Sequence, residues 1–378
     1  MIDALVLKKI EQIINYCLSN HLAFFTYRVP DSDRIKIGVQ KDLNLMNYHE
    51  FAELEGKQGF VFAPFESSER HPSWFIRDDF SFSSDTLTDS EVETLGRYQN
   101  SVLDSEDVCP AQSLEEDYFS QISEILRALK GNELEKAILS RIQTEKGGAK
   151  AQRANLFIQL CQHYPQAFVS YVSLPGICSW MGASPELLFK SHKGRTETVA
   201  LAGTLPAGNS DLADMNWGKK EIEEQAFVSD YIERVFRKNA IAGFERKGPY
   251  TVQAGQVVHL KTEFKTQAEL SFCDKAGMIS ALHPTPAVCG LPKQEAFDLI
   301  KKVEKHDREY YAGFWGPIGA KGSCELYVNL RTMKISENHL SLFVGGGITI
   351  ESIPKKEWEE TQYKAQTLLS VIKAGKYS

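Results

Sequence analysis

Several side chains interrupt the pattern of their surroundings in ways that could do chemistry. Lys136 opens the strand-like run KAILSRI, where alternation sends it to the same side as Ile138, Ser140 and Ile142 while Arg141 points the other way. A lysine at a strand end is ordinarily solvated, but one drawn partly out of water holds its proton less tightly and can serve as a general base. Glu186 lies in MGASPELLF. Ser184, Pro185 and Glu186 could cap a helical turn. At the entrance to a strand among apolar neighbours, the same carboxyl would gain proton affinity and become a candidate acid.

In a helix read over Trp217 to Asn239, Glu224 precedes Val228, Tyr231 and Val235 on one stripe, so a carboxylate extends the face that should meet the core. It is either the fraying edge of that stripe or a metal ligand. Glu223, in line with Phe227, Asp230 and Arg234, reads as the surface member of the pair. The last helix opens KKEWEETQYK, setting Glu357 and Glu360 in its first turns, where carboxylates suit the helix dipole and Glu360 with Lys364 makes an ordinary i,i+4 pair. One carboxylate from each of two helices, completed by water and an anionic substrate, is also how proteins hold Mg²⁺. Spacing does not decide between these readings.

Glycine is needed where backbone must approach a ligand, and the chain has a Gly203-Thr204 step after an apolar strand plus Gly345, Gly346 and Gly347 inside FVGGGITI. A bulge would account for the triplet, and the N–H groups it frees could bind a carboxylate. His283, in the Pro-rich turn ALHPTPAVCG, reads as structural or as a site residue. Arg331 alternates with Asn329 in NLRTMK and is either exposed or an inward carboxylate clamp.

These residues need a scaffold. An amphipathic N-terminal helix and short strands such as LAFFTYRV occupy the first ~110 residues, ending in the polar stretch SFSSDTLTDSEVETLGRYQNSVLDSED, which reads as a linker or surface excursion. A capping box, Ser113-Leu-Glu-Glu116, then opens a helix that stops at Gly131. Strands dominate from Leu134 to Thr204 around one helix near ANLFIQLCQHY. Next come the 217–239 helix, the strand QVVHLKTEFKTQ, a helix after Pro292, two strands near ELYVNLRTMKI and HLSLFVGGGITI, and a terminal helix after Pro354. A large sheet is implied, without βαβ regularity, and neither a dinucleotide-binding nor a P-loop glycine motif is present.

Composition narrows the classes. With 43 basic and 50 acidic residues the net charge of −7 supplies no field for nucleic acid or anionic membrane, although a few local cations could still hold a carboxylate. Seven scattered cysteines without a C-x-x-C pair argue against a disulfide framework or zinc site, so a reducing cytoplasm is expected. The N-terminus carries a helical stripe rather than the apolar run of a signal peptide, and no segment reaches a membrane span.

In order, EKAILSR, GASPELL, LAGT, HPTPAVCGLPK, DREYYAGFWGPIG, LRTMKI, FVGGGI and EWEETQYK resemble the chorismate-utilising enzymes, and most closely the isochorismate synthases. Eight segments recurring in series are far more specific than one short motif. The resemblance spans residues 115 to 375 or so, dividing the chain into 1–110, completing the sheets and only loosely family-like, and 111–378, the chorismate-binding catalytic region.

The resemblance implies an α+β fold: two large, mainly antiparallel β-sheets packed together, with helices outside and a Mg²⁺ site between. It implies addition of water at C2 of chorismate with loss of the C4 hydroxyl, supplying menaquinone or siderophore synthesis, in a protein expected to act as a monomer. By motif position Lys136 resembles the base and Glu186 the acid. Glu224 and Glu360 resemble the metal ligands, with Glu357 nearby, and Gly203, Thr204, His283, Arg331, Gly345, Gly346, Gly347 and Lys364 fall where relatives hold substrate.

Relatives with other outcomes are separated by single positions. Ala202 stands where a lysine-nucleophile aminodeoxychorismate synthase would carry its lysine, Lys136 is absent from anthranilate synthases, and salicylate synthases generally depart from the HPTP turn. The family's metal helix commonly reads Glu-His, whereas Gln225 follows Glu224 here. A salicylate-forming relative and a non-catalytic chorismate-binding protein stand as the rival readings.

Overall fold

The computed structural model describes residues 2–101, 109–207, 212, 215–239, 241 and 243–374. Two nine-stranded sheets carry the structure. The first runs, edge to edge, Gly290–Leu291, Lys136–Lys146, His339–Ile348, Thr332–Ile335, Cys178–Ser184, Phe168–Leu174, Ala23–Arg28, Ile35–Gln40 and Phe80–Ser83. The second runs Glu245–Ala254, Val257–Thr266, Arg195–Pro206, Leu187–His192, Cys324–Val328, Phe314–Ile318, Gly59–Ala63, Ser73–Arg77 and Met46–Tyr48. Every described pairing is antiparallel, as expected. The first 110 residues supply three strands to each sheet.

The sheets meet through aromatic side chains. Phe25 stacks on Phe60 at 4.7 Å and Phe168 on Tyr327 at 4.2 Å, each pair reaching from one sheet to the other. Neighbouring residues on the first sheet, Phe24, Val169 and Met181, point outward into a second core closed by the helices Ala4–Ser19, Lys150–His163 and Pro354–Ala374. Because both faces of this sheet are covered, its central strands Ala23–Arg28 and Phe168–Leu174 are buried at every position rather than at alternate ones.

Two passages of chain cross between the sheets. Cys178–Ser184 belongs to the first sheet and Leu187–His192 to the second, with Pro185 and Glu186 at the corner. Cys324–Val328 belongs to the second and Thr332–Ile335 to the first, with Arg331 at that corner in the left-handed region, φ +48°. The corners are bonded to each other: Val328 N donates to Glu186 O at 3.0 Å, and Ala183 N to Arg331 O at 3.1 Å.

Arg331 is therefore not on a strand alternating with Asn329, and the ELYVNLRTMKI segment is two strands in different sheets. The Ser-Pro-Glu run caps no helix; Ser184 ends one strand and its hydroxyl donates to Val328 O. Ser113 is not the helix cap either. The helix Glu115–Lys130 has Leu114 at that position, and Ser113 Oγ instead accepts from Ile142 N at 2.9 Å, anchoring the helix entry to a strand. Part of the polar stretch read as a linker forms the helix Asp89–Leu95, with Leu95 buried; residues 102–108 lie outside the described ones.

Candidate active site

A cavity opens between the sheets where both corners, the glycine strand and two helices converge. Glu186, Thr204, Glu224, Arg331, Lys364 and Gly345 to Gly347 all line it. Lys136 stands behind that lining. It is fully buried, and its Nζ lies 2.9 Å from Glu224 Oε1 without making a well-aligned hydrogen bond.

The glycines explain how these groups come so close. His339–Ile348 pairs with Lys136–Lys146 in unbroken register, so the triplet is not a bulge. It supplies space instead. A Cβ at Gly347 would overlap Glu224 Oε1 and come within 3.0 Å of Lys136 Cε; at Gly345 it would lie 2.8 Å from Tyr311 Oη; at Gly346 it would lie 3.4 Å from Glu360 Oε1 and 3.8 Å from Glu357 Oε2. The bulge occurs elsewhere, between Ala202 and Thr204, with Gly203 at φ +69° and its absent Cβ only 2.9 Å from Glu221 O.

The helix Lys219–Lys238 is held on that bulged strand by Gln225, which accepts from Ala202 N at 2.8 Å and donates to Ala200 O at 3.2 Å and Thr262 Oγ1 at 2.9 Å. The centre of the buried stripe is Gln225, Val228, Ser229, Ile232, Val235 and Phe236, so Glu224 flanks it and Glu223 is exposed. Gln225 thus fixes the register that presents Glu224 to Lys136.

Each acid is tuned by its setting. Burial pushes the Glu186 carboxyl up to about 7, against a hydrogen bond donated by Thr285 Oγ1 at 3.3 Å. Burial would also raise Glu224, but the Lys136 ammonium outweighs it and holds the carboxyl below its ordinary value. Glu357 is raised, first by burial and then by the neighbouring Glu360, with Lys220 opposing at 2.6 Å. Glu360 pairs with Lys364 at 2.6 Å as the spacing allowed, but at the cavity rather than on the open surface, and Lys364 also donates to Gly345 O at 3.0 Å.

Arg331 is buried, which lowers its pKa to about 10. It donates to Thr367 Oγ1 at 3.1 Å and to His259 Nε2 at 3.0 Å. His283, in contrast, does not line the cavity: its Nε2 faces Pro64 O at 3.2 Å and its ring abuts Phe314, a structural placement. The HPTP turn contributes Thr285 instead.

Among the described residues no three His, Cys, Asp or Glu side chains form a ready-made metal cluster. The donor chemistry nevertheless suits a hard divalent cation that keeps waters and takes oxygens from its substrate. Glu224, Glu357 and Glu360 approach the Gly346-Gly347 backbone from two helices, and Glu357 Oε2 is buried without a hydrogen bond.

The profile of the family described as Chorismate binding enzyme matches residues 78–373, more than three quarters of the chain. The chain belongs to the chorismate-binding enzymes. It is 29% identical over 264 residues to the vibriobactin-specific isochorismate synthase of Vibrio cholerae, covering 68% of this chain and 66% of that one. It is 30% identical over 246 residues to the isochorismate synthase EntC of Escherichia coli K12, covering 64% and 63%. The matches thus span a little under two thirds of these relatives' lengths. The fold is that of a solved structure described as the 2,3-dihydroxybenzoate-specific isochorismate synthase DhbC of Bacillus anthracis (TM-score 0.76, 24% identity, 93% of this chain and 96% of that one). It is also that of the menaquinone-specific MenF of Escherichia coli (TM-score 0.73, 19% identity, 95% and 90%).

Within this chorismate-binding enzyme, four further residues shape the cavity. His259 carried a signal, a polar residue inside QVVHLKTEF, and Tyr311 sat in the quoted DREYYAGFWGPIG segment without a role. Thr285 sat in the HPTP turn without a role, and Gln225 stood out only as a departure from the family's Glu-His pair: the importance of both lies in which backbone or carboxyl they meet, across intervals of 99 and 23 residues.

Proposed function

We propose that this protein is an isochorismate synthase, adding water at C2 of chorismate and expelling the C4 hydroxyl, and that it supplies menaquinone or siderophore synthesis. The observation that carries the reading is a carboxyl raised to about 7 and a fully buried lysine disposed around one cavity that also holds a buried arginine. Water is a poor nucleophile and hydroxide a poor leaving group, so a base and an acid are both required, each worth about 10²–10⁴ in rate.

Glu186, still protonated near neutrality, gives its proton to the departing C4 oxygen. Lys136 takes the proton of the attacking water. Arg331 and Lys364 bind carboxylates of the substrate, and the glycine strand lets the ring lie against backbone. Glu224 and Glu360, with Glu357 beside them, would hold Mg²⁺, which when bound neutralises a substrate carboxylate and stabilises electron density moved through the diene.

Incubation of the purified protein with chorismate and Mg²⁺ tests the assignment. Isochorismate without pyruvate is expected. Salicylate with pyruvate would replace the reading by that of a salicylate-forming relative, and no turnover, with Lys136→Ala indistinguishable from wild type, by that of a chorismate-binding protein.

A further inference from the structure

Each carboxylate of the cation site carries a lysine: Glu224 has Lys136 at 2.9 Å, Glu360 has Lys364 at 2.6 Å and Glu357 has Lys220 at 2.6 Å. Lys136 and Lys364 have roles in the reaction above. Lys220 has none. It stands in the first turn of the Lys219–Lys238 helix and reaches across to the first turn of Pro354–Ala374, where the cavity opens into an outer groove.

Two observations set this pair apart from a surface ion pair. Lys220 is largely enclosed, its Nζ 2.6 Å from Glu357 Oε1, and it lines one groove with both Glu357 and Glu360. Its partner is almost wholly enclosed. The Glu357 side chain is 2% exposed, and its second oxygen makes no hydrogen bond, with the Ser352 hydroxyl nearby. The groove outside adds Glu221, Glu351 and Glu359 against Lys356, an excess of negative charge that opposes a dianionic substrate and attracts a cation.

We propose that Lys220 is the resident occupant of the cation subsite, an ammonium that neutralises Glu357 until a divalent cation displaces it, and that Lys220 thereby sets cation affinity and makes cation loading precede substrate. The inference rests on the assignment of Mg²⁺ to Glu224 and Glu360. Its physical basis is the cost of an uncompensated buried charge: three clustered carboxylates cannot stay ionised and enclosed without a counter-ion. A tethered ammonium meets that need and, unlike a fixed arginine fork, can swing away on its flexible stem.

Mg²⁺ titrations of the substrate-free full chain by calorimetry test it, comparing wild type with Lys220→Met, Lys220→Gln and, as a control removing the same charge from the same groove, Lys356→Met. The glutamine variant keeps an amide donor for Glu357, so a folded protein remains if the methionine variant is too unstable. Both Lys220 variants should bind Mg²⁺ on the order of tenfold more tightly, as expected from deleting a competing charge at close range, while Lys356→Met shifts affinity about twofold or less. In a Glu357→Gln background the effect of Lys220→Met should vanish. Lys220 variants binding no more tightly than Lys356→Met would overturn the inference alone, leaving a plain structural ion pair. A wild-type protein that takes up no Mg²⁺ would overturn the cation assignment and this inference together.

Discussion

His259 Nε2 accepts a hydrogen bond from the Arg331 guanidinium at 3.0 Å while His259 Nδ1 faces Gly203 O at 3.0 Å. A carbonyl only accepts, which assigns the ring proton to Nδ1 and leaves Nε2 free to receive the guanidinium. Burial, then the charges of Arg331 and Lys364, keep the imidazole well below its usual pKa and therefore neutral. One strand thus fixes the aim of the guanidinium at the corner between the two sheets.

Replacing His259 with leucine removes that acceptor from a buried charged donor. A loss of about 1.5–3 kcal/mol in substrate binding is expected, or roughly a 10- to 100-fold rise in KM for chorismate, with kcat less affected. Steady-state kinetics decide; an unchanged KM would show that Arg331 does not hold the substrate.

Glu186→Gln should cost about 10²–10⁴ in kcat while substrate still binds. In the native enzyme kcat/KM should fall as pH rises through about 7, because the acid must be protonated, and the variant should lack that limb. Stability moves in the same direction. The folded state holds a proton on Glu186 between its ordinary value of 4.5 and about 7, so stability declines as pH rises across that window. At pH 8 the glutamine variant should therefore be more stable by roughly 3 kcal/mol, measured by urea denaturation.

Thr285 donates to the ionised form of Glu186. Thr285→Val should move the basic limb of kcat/KM to higher pH by roughly half a unit, and Thr285→Ser should restore it. A pH profile identical in all three proteins would remove Thr285 from the tuning of the acid.

Gly347→Ala forces a methyl group between Lys136 and Glu224. Overpacking of this kind costs about 1–3 kcal/mol, but the loss of rate should be much larger than the loss of stability suggests, on the order of 10²-fold, because the alanine parts the base from its counter-charge. Thermal melts set beside turnover numbers separate the two effects.

His283 offers a test away from the cavity. Burial lowers its pKa from 6.5 to about 4, so the unfolded chain binds a proton there that the folded protein refuses. Its contribution is fully present above pH 6.5 and lost as pH falls toward 4, up to roughly 3 kcal/mol. A His283→Gln variant should show a flatter stability profile over that window.

Much of this site could be read from the chain because its residues violate local rules: a lysine heading an apolar strand, a carboxylate on the edge of a helical stripe, three glycines where side chains should pack. What could not be read depends on distant partners. Nothing near Arg331 announces that the chain turns a corner there, since the left-handed backbone is imposed by bonds to Ala183 and by the change of sheet. The spacing of Glu360 and Lys364 predicted their pairing but not its enclosure, which comes from the neighbouring Gly345 strand. The glycine triplet was legible as a need for space, whereas its unbroken register follows from the ten-residue ladder with Lys136–Lys146. His283 drew attention as the histidine of its motif, yet the group there that reaches the Glu186 carboxyl is the Thr285 hydroxyl two positions later.

The paired corners act as a rivet. Two chain passages run from one sheet to the other side by side, bonded to each other on both sides of the crossing, so a shear of the sandwich would pull the Glu186 carboxyl and the Arg331 guanidinium out of alignment. The freedom that remains lies at the rim, where the helices Lys219–Lys238 and Pro354–Ala374 are joined by the contact of Lys220 with Glu357.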